Sequence, residues 1–341
     1  MGSKISDILI SDEISIDELK GKTLAVDAFN TLYMFLTTIR GYDGAPLMDS
    51  EGRITSHLQG LFSRFSNYLE KGVKFVFVFD GKSPDLKSDE SLRRKELKLE
   101  AKKLFDEAKQ AKDLDNMKKY AARSVFLSDE MIEQAKTLLS LMGIPVVNAP
   151  SEGEAQAAHM AKKGDVFAVV SQDADTLLAK APRLIKNLSV SPRKKMVGSL
   201  SSKNVFPEII DLDKNLKNLE LDIDKLIALA ILVGTDYNYG GIKGIGPKKS
   251  LKLLQKNSIE DVFEKVEWSK NSDIDWKDIF NLIKNMPVTD DYKLEFKDPD
   301  FDGLKKFLVS FEFSENRIEK SIEKLKEAKK SLAQKGLDDF F

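Results

Sequence analysis

Residues 150–175 read PSEGEAQAAHMAKKGDVFAVVSQDAD, and this stretch decides the fold class. The apolar run Val166–Val170 predicts a short buried strand, and the residues before it predict a helix. In an α/β sheet, ligands bind outside the carboxyl ends of the strands, so we expect the acids after this strand at the rim of a cleft. A helix beginning at Ser151 would direct the acids before the strand to the same rim. The four acids, two on each side of the strand, are Glu152, Glu154, Asp173 and Asp175.

Two earlier strands are also predicted to end at an acid. Thr23–Asp27 is an apolar run that ends at an aspartate, and Val73–Phe79 is followed directly by Asp80. The residues between these strands predict two helices, Asn30–Arg40 and Thr55–Lys71. Strands and helices in this order predict a mainly parallel sheet with helices on its faces, which is an α/β fold.

The cluster of carboxylates predicts a metal site. For two residues of this stretch, Ser151 and Glu154, an ordinary helix cap is the alternative. Four negative side chains in a small volume repel one another and shift their pKa values unless a cation neutralises them. Oxygen ligands favour Mg²⁺ or Mn²⁺ over zinc or copper. The alternative for Ser151 and Glu154 is a capping box, in which the glutamate bonds the backbone N–H of the serine. Because acids recur at several strand ends, the metal site is favoured.

The composition excludes several classes of site. The 341 residues suggest about two domains or a single large one, and a hydrophobic content of 42% is enough for a sizeable core. Lysine and arginine (54) balance aspartate and glutamate (55), so the net charge does not decide whether nucleic acid is bound. The absence of cysteine excludes disulfides, zinc–thiolate sites and cysteine nucleophiles, and only two histidines are present. With no apolar run long enough for a membrane span and no signal peptide, we expect a soluble intracellular protein.

The segment 82–123 is highly charged and poor in large apolar residues. It holds 13 lysines and arginines against 9 aspartates and glutamates. One interpretation is a solvated helical hairpin whose faces are linked by salt bridges. The other is a mobile helical element over the cleft that presents basic side chains to phosphates. The start of the segment, two residues after Asp80, favours the second interpretation.

The sequence GIKGIGPKK at 241–249 predicts an anion site between two helices. The helix Asp222–Val233, apolar on nearly all sides, precedes it, and the helix Ser250–Lys256 follows. A Gly-x-Gly turn followed by proline leaves backbone N–H groups pointing outward at a helix N-terminus, where anions bind. Lys248 and Lys249 add positive charge. The pattern resembles the helix–hairpin–helix that holds one DNA strand by its phosphates.

The remaining patterns complete the outline of the chain. Between Trp268 and Phe313 they indicate only helices joined by loops. The chain ends QKGLDDFF. One helical turn would place the apolar residues of this segment on one side, where they could fill a partner's pocket. The alternative is a tail that folds back onto the protein's own core. We further expect strands at Ile144–Val147 and Arg183–Asn187, helices at Ser128–Met142 and Glu315–Ala333, and loops at Gly41–Ile54 and Ser191–Lys203.

Together these motifs resemble those of the structure-specific 5′ nucleases, and among them the flap endonucleases of archaea. The resemblance runs in the family's order over nearly the whole chain, from Gly2 to Phe341. The terminal Gln334-x-x-Leu337-x-x-Phe340-Phe341 resembles the peptide that binds a sliding clamp. The other motifs are Asp27-Ala28, Phe79-Asp80-Gly81-Lys82, Pro150-Ser151-Glu152-Gly153-Glu154-Ala155, Asp173-Ala174-Asp175, Gly234-Thr235-Asp236-Tyr237 and Gly244-Ile245-Gly246-Pro247-Lys248.

The resemblance implies a fold and a domain organisation. The fold would be α/β, with a central mixed, mainly parallel twisted sheet flanked by helices, a helical arch at about 82–123 and a helix–hairpin–helix at about 224–256. Residues 1–333 would form a single nuclease domain, and 334–341 would be the peptide that binds the sliding clamp (PCNA). The protein would be a monomer on its own. The clamp-binding residues would be Gln334, Leu337, Phe340 and Phe341.

The resemblance also implies roles for individual residues. Lys87 and Arg94, at the base of the arch, would be catalytic residues that contact the scissile phosphate. Tyr33 would stack on a base beside that phosphate, and the hairpin backbone would hold a monovalent cation, K⁺. The residues implied to bind DNA are Tyr33, Gly244, Gly246, Lys248 and Lys249. Two Mg²⁺ ions, for which Mn²⁺ can substitute, would be held by Asp27, Asp80, Glu152, Glu154, Asp173, Asp175 and Asp236.

The implied activity is hydrolysis of a phosphodiester at the junction between single strand and duplex in DNA with a 5′ flap. Catalysis would use two metal ions and would include 5′–3′ exonuclease activity. The cellular role would be Okazaki fragment maturation and long-patch base excision repair, in the cytoplasm or nucleoid of an archaeon. One departure from the family's pattern is Tyr239, which stands where proline is expected before the hairpin.

Other functions remain open at this point. A related 5′ exonuclease, a repair nuclease or a ribonuclease on a similar sheet would use the same acids on another substrate. A non-catalytic DNA-binding module tethered to a clamp would require all seven acids to be structural. A phosphatase with an Asp-x-Asp motif would leave the arch, the hairpin and the terminal peptide without a purpose.

Overall fold

The computed structural model describes residues 4–42, 44–121, 123–190, 193–195 and 202–338. Within these ranges, none of the helices is long and apolar enough to cross a membrane. The described residues form nine strands: β1 (Asp12–Glu13), β2 (Thr23–Asp27), β3 (Lys74–Phe79), β4 (Val146–Asn148), β5 (Ala168–Val170), β6 (Arg183–Lys186), β7 (Arg193–Lys195), β8 (Ser202–Asn204) and β9 (Glu208–Asp211).

Helices cover most of the remaining described chain. Short 3₁₀ turns lie at Lys4–Ile8, Asp17–Leu19 and Asp85–Lys87, and a π-helical turn lies at Leu61–Phe65. The α-helices of the described residues are α1 (Ala28–Thr38), α2 (Ser56–Gly60), α3 (Ser66–Glu70), α4 (Ser88–Gln110), α5 (Leu114–Ala121), α6 (Asp129–Leu141), α7 (Gly153–Lys163), α8 (Asp175–Leu178), α9 (Leu212–Leu219), α10 (Ile223–Val233), α11 (Pro247–Lys256), α12 (Ile259–Lys265), α13 (Trp268–Asn271), α14 (Trp276–Lys284), α15 (Phe301–Val309) and α16 (Glu315–Asp338).

Seven of the described strands form one mixed sheet, in the order β1-β9-β6-β5-β2-β3-β4. Within this sheet, the neighbouring strands of the series β6-β5-β2-β3-β4 are all paired parallel. Strand β9 pairs antiparallel with β6, and β1 pairs antiparallel with β9. Strands β7 and β8 form a separate antiparallel pair. The predicted α/β fold with a mixed, mainly parallel sheet is therefore confirmed.

Strand β3 shows how the sheet is covered on both faces. Phe75, Phe77 and Phe79 belong to one buried cluster, and Val76 and Val78 belong to another, because successive side chains of a strand point to opposite faces. The phenylalanine face packs with apolar residues of α1, α6, α15 and α16, and the valine face packs with those of α7. Burial on both faces is typical of parallel strands in α/β proteins.

The strand order places a crevice at the carboxyl end of the sheet. From β2 the chain proceeds outward through β3 to β4, and then returns through α7 to β5 on the other side of β2. Such a reversal leaves a crevice outside the two strands at which it occurs, and open α/β sheets bind their ligands there. Asp27 ends β2, and Asp173 follows β5 by three residues. The topology therefore brings both acids to one crevice.

Several elements differ from the sequence prediction. The segment 191–203 is predicted as a loop, but its described residues include β7 and most of β8. Strand β9 is not predicted, because its two adjacent isoleucines between acids show neither the helical nor the strand period. The helix predicted at 55–71 is a single helical run in which a π-helical turn joins α2 to α3.

His57 is a polar side chain in the core. It lies on α2 with 0% of its surface exposed, and its Nε2 is 3.1 Å from Oε1 of Gln134 on α6. Its Nδ1 has no hydrogen-bond partner among the described residues. Burial lowers the pKa of His57 from 6.5 to about 4, because a charged ring would lose its water, and the contact with Gln134 offsets only part of this effect.

We predict that His57 makes the fold sensitive to acid. Above pH 6.5 the ring is neutral in the folded and unfolded chains, so it contributes no pH dependence. Between pH 6.5 and about 4 only the unfolded chain takes up the proton, so the free energy of unfolding falls with falling pH, by about 1.4 kcal/mol per unit. Urea unfolding at about pH 7 and about pH 5 should show that wild type loses roughly 2 kcal/mol more than His57→Gln. Equal losses in wild type and in His57→Gln would contradict the prediction.

Candidate active site

All seven predicted acids line one cleft at the carboxyl end of the sheet. The cleft has a volume of about 360 Å³, and Lys87, Arg94 and Tyr33 line it as well. Its acids come from β2, from the turn after β3, from the first residues of α7, from the region after β5 and from the loop after α10. The acids are Asp27, Asp80, Glu152, Glu154, Asp173, Asp175 and Asp236.

Asp27 connects the start of α1 to the other carboxylates of the cleft. Its Oδ1 accepts the backbone N–H of Asn30 at 3.0 Å and thereby caps α1. Its Oδ2 accepts the hydroxyl of Ser171 at 3.1 Å, and that hydroxyl also lies 3.4 Å from Oε1 of Glu154. The Ser171 hydroxyl therefore joins the two carboxylates.

Asp80 is held by the backbone at the start of α7. The N–H of Gly153 donates to Oδ1 of Asp80 at 2.7 Å. The first N–H groups of a helix have no partner inside it, and Asp80 accepts one of them. A Cβ at position 153 would lie 2.6 Å from Oδ1 of Asp80 and 3.2 Å from the carbonyl oxygen of Val78. Glycine is therefore required for this close approach.

The capping box considered for Ser151 and Glu154 is not formed among the described residues. Helix α7 begins at Gly153, two residues later than predicted, and Glu152 is its N-cap without a capping side-chain hydrogen bond. The hydroxyl of Ser151 instead donates to the carbonyl oxygen of Lys82 at 3.1 Å. Both glutamates are consequently available to the cleft.

Two cations at the start of α4 supply positive charge to the cleft; α4 and α5 lie in the segment predicted as the arch. Nζ of Lys87 lies 2.6 Å from Oε2 of Glu152 and 3.6 Å from Oδ2 of Asp236. Nη2 of Arg94 donates to Oδ1 of the same aspartate. Burial by itself lowers the pKa of Lys87, but the Glu152 and Asp236 carboxylates outweigh it and raise this pKa above its ordinary value. Lys87 is therefore held in its charged form.

Burial raises the pKa of several carboxyls in the cleft. The pKa of Asp80 is raised to about 7, first by burial and then by the neighbouring acids. Burial is also the largest cause of the raised pKa of Asp27, Glu154 and Asp173, and for Glu154 the charges of neighbouring aspartates add to it. A divalent cation would oppose both causes, because it replaces lost solvation and cancels the repulsion. Binding of such a cation would release protons.

The donor set of the cleft suits a hard divalent cation in its chemistry. All the acids offer oxygen, which Mg²⁺ and Mn²⁺ prefer. Among the described residues, however, no three Asp, Glu or His side chains form a preformed cage for one ion. The carboxylates are instead engaged with each other and with the arch, as in the pair of Lys87 and Glu152. The assignment of the acids as metal ligands stays a prediction, and it requires their side chains to turn toward the ion.

Tyr33 lies between the cleft and a second cavity. Nζ of Lys98, on α4, donates to its hydroxyl at 3.0 Å and lies 4.3 Å from the centre of its ring. The second cavity has a volume of about 650 Å³ and is lined by Tyr33, Asn30, Gln172 and other residues. The side chain predicted to stack on a base is thus in contact with the arch.

The predicted hairpin residues lie at the other end of the loop that carries Asp236, and they do not line the cleft. Gly244 has a φ of +79°, a backbone conformation that favours glycine. Gly246 is the N-cap of α11, and the proline after it is the first residue of that helix. Lys248 and Lys249 are exposed beside this helix start. The arrangement suits an anion, and DNA binding by these residues stays a prediction.

Comparison with known proteins places the chain in a family. Its residues 4–101 match the XPG N-terminal domain, and its residues 143–236 match the XPG I-region. "Flap endonuclease 1" of Thermococcus onnurineus is 48% identical over 342 aligned residues, which cover 100% of this chain and 99% of that protein. The chain belongs to the flap endonuclease 1 family.

Solved structures agree with this family assignment. Flap endonuclease-1 from Methanococcus jannaschii superposes with a TM-score of 0.76 at 42% identity, over 96% of this chain and 98% of that one. The catalytic core of Rad2 in complex with a DNA substrate superposes with a TM-score of 0.70 at 25% identity, over 95% of this chain and 100% of that one. The predicted resemblance is confirmed, and the protein is a nuclease of the flap endonuclease 1 family.

Three residues of the site are missing from the sequence prediction. Ser171 follows β5 directly and bonds two of the acids, so its place at a strand end was a usable signal. Asn30 lines the cleft from the first turn of α1, and its Oδ1 accepts the N–H of Gln172 at 3.2 Å. Glu90 bonds both Arg93 and Arg94, but nothing in the sequence distinguishes it from the other acids of the arch.

The terminal peptide is only partly described. Phe340 and Phe341 lie outside the described residues. Gln334 and Leu337 lie on α16, where only the backbone is described. Clamp binding by these residues stays a prediction.

We predict that Gly153→Ala impairs the nuclease without unfolding it. The new Cβ would displace the Asp80 carboxylate, which is the far end of a flexible side chain, while the backbone carbonyl oxygen of Val78, 3.2 Å from that Cβ, would have to give by only a few tenths of an ångström. Because a misplacement of about 1 Å in an active site can cost on the order of 10²-fold, the single-turnover cleavage rate should fall by about that factor. The thermal unfolding midpoint, measured by circular dichroism, should change little. A variant that cleaves at the wild-type rate would show that the position of Asp80 is unimportant.

Proposed function

We propose that this protein is a structure-specific 5′ flap endonuclease that hydrolyses a DNA phosphodiester at the junction between single strand and duplex. The observation that carries the proposal is the cleft, in which acids from distant segments face Lys87 and Arg94 of the arch. The relatives support the same reaction, since they are flap endonucleases, and the Rad2 core is a structure with a DNA substrate.

The seven acids of the cleft are the proposed ligands of two Mg²⁺ ions. Bound there, the ions would stabilise the charge on the phosphate and on the leaving oxygen and would activate water for attack. Seven carboxylates exceed the number that two such ions need as direct ligands, because Mg²⁺ keeps several of its waters. Some of the acids would therefore act through water. Mn²⁺ prefers the same oxygen ligands and would substitute.

Lys87 and Arg94 would bind the scissile phosphate. An empty, negatively charged cleft repels a phosphodiester, and these two cations offset part of that repulsion. In the structure they pair with Glu152 and Asp236. On substrate binding they would exchange these partners for phosphate oxygens, for which guanidinium offers two parallel hydrogen bonds. The exchange keeps both cations paired while it orients the phosphate over the acids.

Selectivity for the junction would come from the cost of unpairing. A phosphate within a stacked duplex cannot reach the acids, so the junction nucleotides must unpair, at a cost of a few kcal/mol. Stacking of a base on Tyr33 would offset ~1–3 kcal/mol of this cost. The arch formed by α4 and α5 would admit single strand and exclude duplex, so that a 5′ flap is accepted.

The hairpin would hold the duplex by its phosphates. Backbone N–H groups at the start of α11, with Lys248 and Lys249, suit a phosphate, and the same turn would hold K⁺ through its backbone. Such contacts carry no sequence information, so binding should be strongly dependent on salt and indifferent to sequence. Flaps of this kind arise in Okazaki fragment maturation and long-patch base excision repair, which we propose as the cellular role, together with a 5′–3′ exonuclease activity.

We predict that Asp175→Ala abolishes cleavage of a labelled double-flap DNA while binding of that DNA survives. The lost carboxylate belongs to the proposed ligand set, whereas the hairpin and the arch are untouched. Single-turnover assays with Mg²⁺ and then with EDTA, together with mapping of the cut, measure the effect. Wild type should cut only with the metal and at the junction.

The matched control for this prediction is Asp213→Ala, which removes an exposed aspartate from α9. It should cut as wild type does. If Asp175→Ala cut at the wild-type rate under Mg²⁺, the assignment of the site would be wrong. Parallel assays on a bubble and on single-stranded RNA test the substrate: preferential cutting of either would replace the flap proposal by a related repair nuclease or a ribonuclease.

We further predict that the terminal peptide 334–341 recruits a sliding clamp. Its apolar Leu337, Phe340 and Phe341 would fill a pocket of the clamp, with Gln334 beside it. A chain that ends at residue 333 should cleave flap DNA at the full rate alone but should lose both clamp binding in calorimetry and any stimulation by the clamp. The double variant Phe340→Ala/Phe341→Ala is the control that keeps the length. Equal clamp affinity of the full and shortened chains would contradict the prediction.

A further inference from the structure

Tyr239 joins the loop before the hairpin to the base of the arch. The guanidinium carbon of Arg93, on α4, lies 3.8 Å from the centre of the Tyr239 ring. A planar cation at this distance from an aromatic ring is attracted by the negative face of the ring.

The same arginine belongs to a connected set of ion pairs. Nε and Nη2 of Arg93 donate to the two oxygens of Glu90 at 2.6 and 2.8 Å. Nε of Arg94 donates to Oε1 of the same glutamate at 2.7 Å, and its Nη2 donates to Asp236. Glu90 is 7% exposed, so both arginines are tied to one buried acid. The orientation of Arg94 is thus coupled to that of Arg93.

The loop that carries Tyr239 is fixed independently of the arch. Oδ1 of Asn238 accepts from the backbone N–H and the hydroxyl of Thr235, and its Nδ2 donates to the carbonyl oxygen of Ile231 at 2.7 Å. The backbone N–H of Tyr237 donates to the same threonine hydroxyl at 3.1 Å. The loop is therefore bonded to itself and to α10 at the residues next to Tyr239, whose ring contacts α4 through Arg93.

We propose that Tyr239 is a positioning residue that holds the first turns of α4 against the cleft. The Tyr239 ring binds Arg93, and Glu90 joins Arg93 to Arg94. Arg94 is thereby directed to Asp236 and, when substrate is bound, to the phosphate. The catalytic consequence rests on the proposed function, whereas the attachment of α4 to the loop does not. Within the described residues, the structure gives Tyr239 no contact with the seven acids.

The test compares Tyr239→Ala with Tyr239→Phe, which keeps the ring. In DNA-free protein, amide hydrogen exchange of residues 88–97 should become about two- to fivefold faster in Tyr239→Ala, as expected for the loss of a partly exposed cation–π contact. The single-turnover cleavage rate should fall by a similar factor, with unchanged affinity for flap DNA. Tyr239→Phe should match wild type in both measurements.

A double-mutant cycle with Arg93→Ala separates this role from its alternatives. If Tyr239 acts through Arg93, the variant Tyr239→Ala/Arg93→Ala should be no slower than Arg93→Ala alone. Additive losses would overturn the proposal, because the two side chains would then act separately. The proposal would also be overturned if Tyr239→Ala bound DNA more weakly while its amide hydrogen exchange stayed unchanged, because the ring would then contact DNA directly. If wild type failed to cut flap DNA, the proposed function would fall, while the exchange measurement would still decide whether Tyr239 holds the arch.

Discussion

The repulsion among buried carboxylates is the constraint on which the rest of the site depends. Strands β2, β3 and β5 deliver acids to one crevice because their carboxyl ends lie side by side there, and burial then makes each charge expensive. The chain tolerates this arrangement through the backbone N–H groups of α1 and α7 and through the cations of Lys87 and Arg94. Each of these contacts offsets part of the negative charge in the cleft.

The start of α4 is consequently a counter-charge to the acids of the cleft. It is attached to the cleft by ion pairs between side chains that are partly shielded from solvent, so salt screens them less than it screens pairs on the open surface. Any change in the charge of the cleft alters the attraction that holds α4 in place. Cation binding and phosphate binding, as proposed for the cleft, would therefore be linked to the position of the start of α4 through the same few carboxylates.

Much of the fold could be predicted from the sequence, because strand ends and apolar periods are local signals. The acids at Asp27, Asp80 and Asp173 were found because each follows an apolar run. Contacts between distant segments could not be predicted in this way. No local pattern pairs Arg94 with Asp236, and none shows that Gly153 must leave room for Asp80. The capping box, which was the less favoured alternative for Ser151, is not formed because the serine hydroxyl has a partner in Lys82 that sequence spacing cannot reveal.

Asp27 has both a structural contact and a place in the negative cluster, and this combination has a consequence for stability. One of its oxygens begins α1, while the other belongs to the negative cluster. Replacing it by asparagine would keep a capping oxygen and would remove a carboxyl that burial makes unfavourable, so we expect the folded chain to gain stability. Selection for heat tolerance alone would thus favour the loss of this carboxylate. If this carboxylate is needed for catalysis, its retention means that selection for activity outweighs selection for stability of the folded chain.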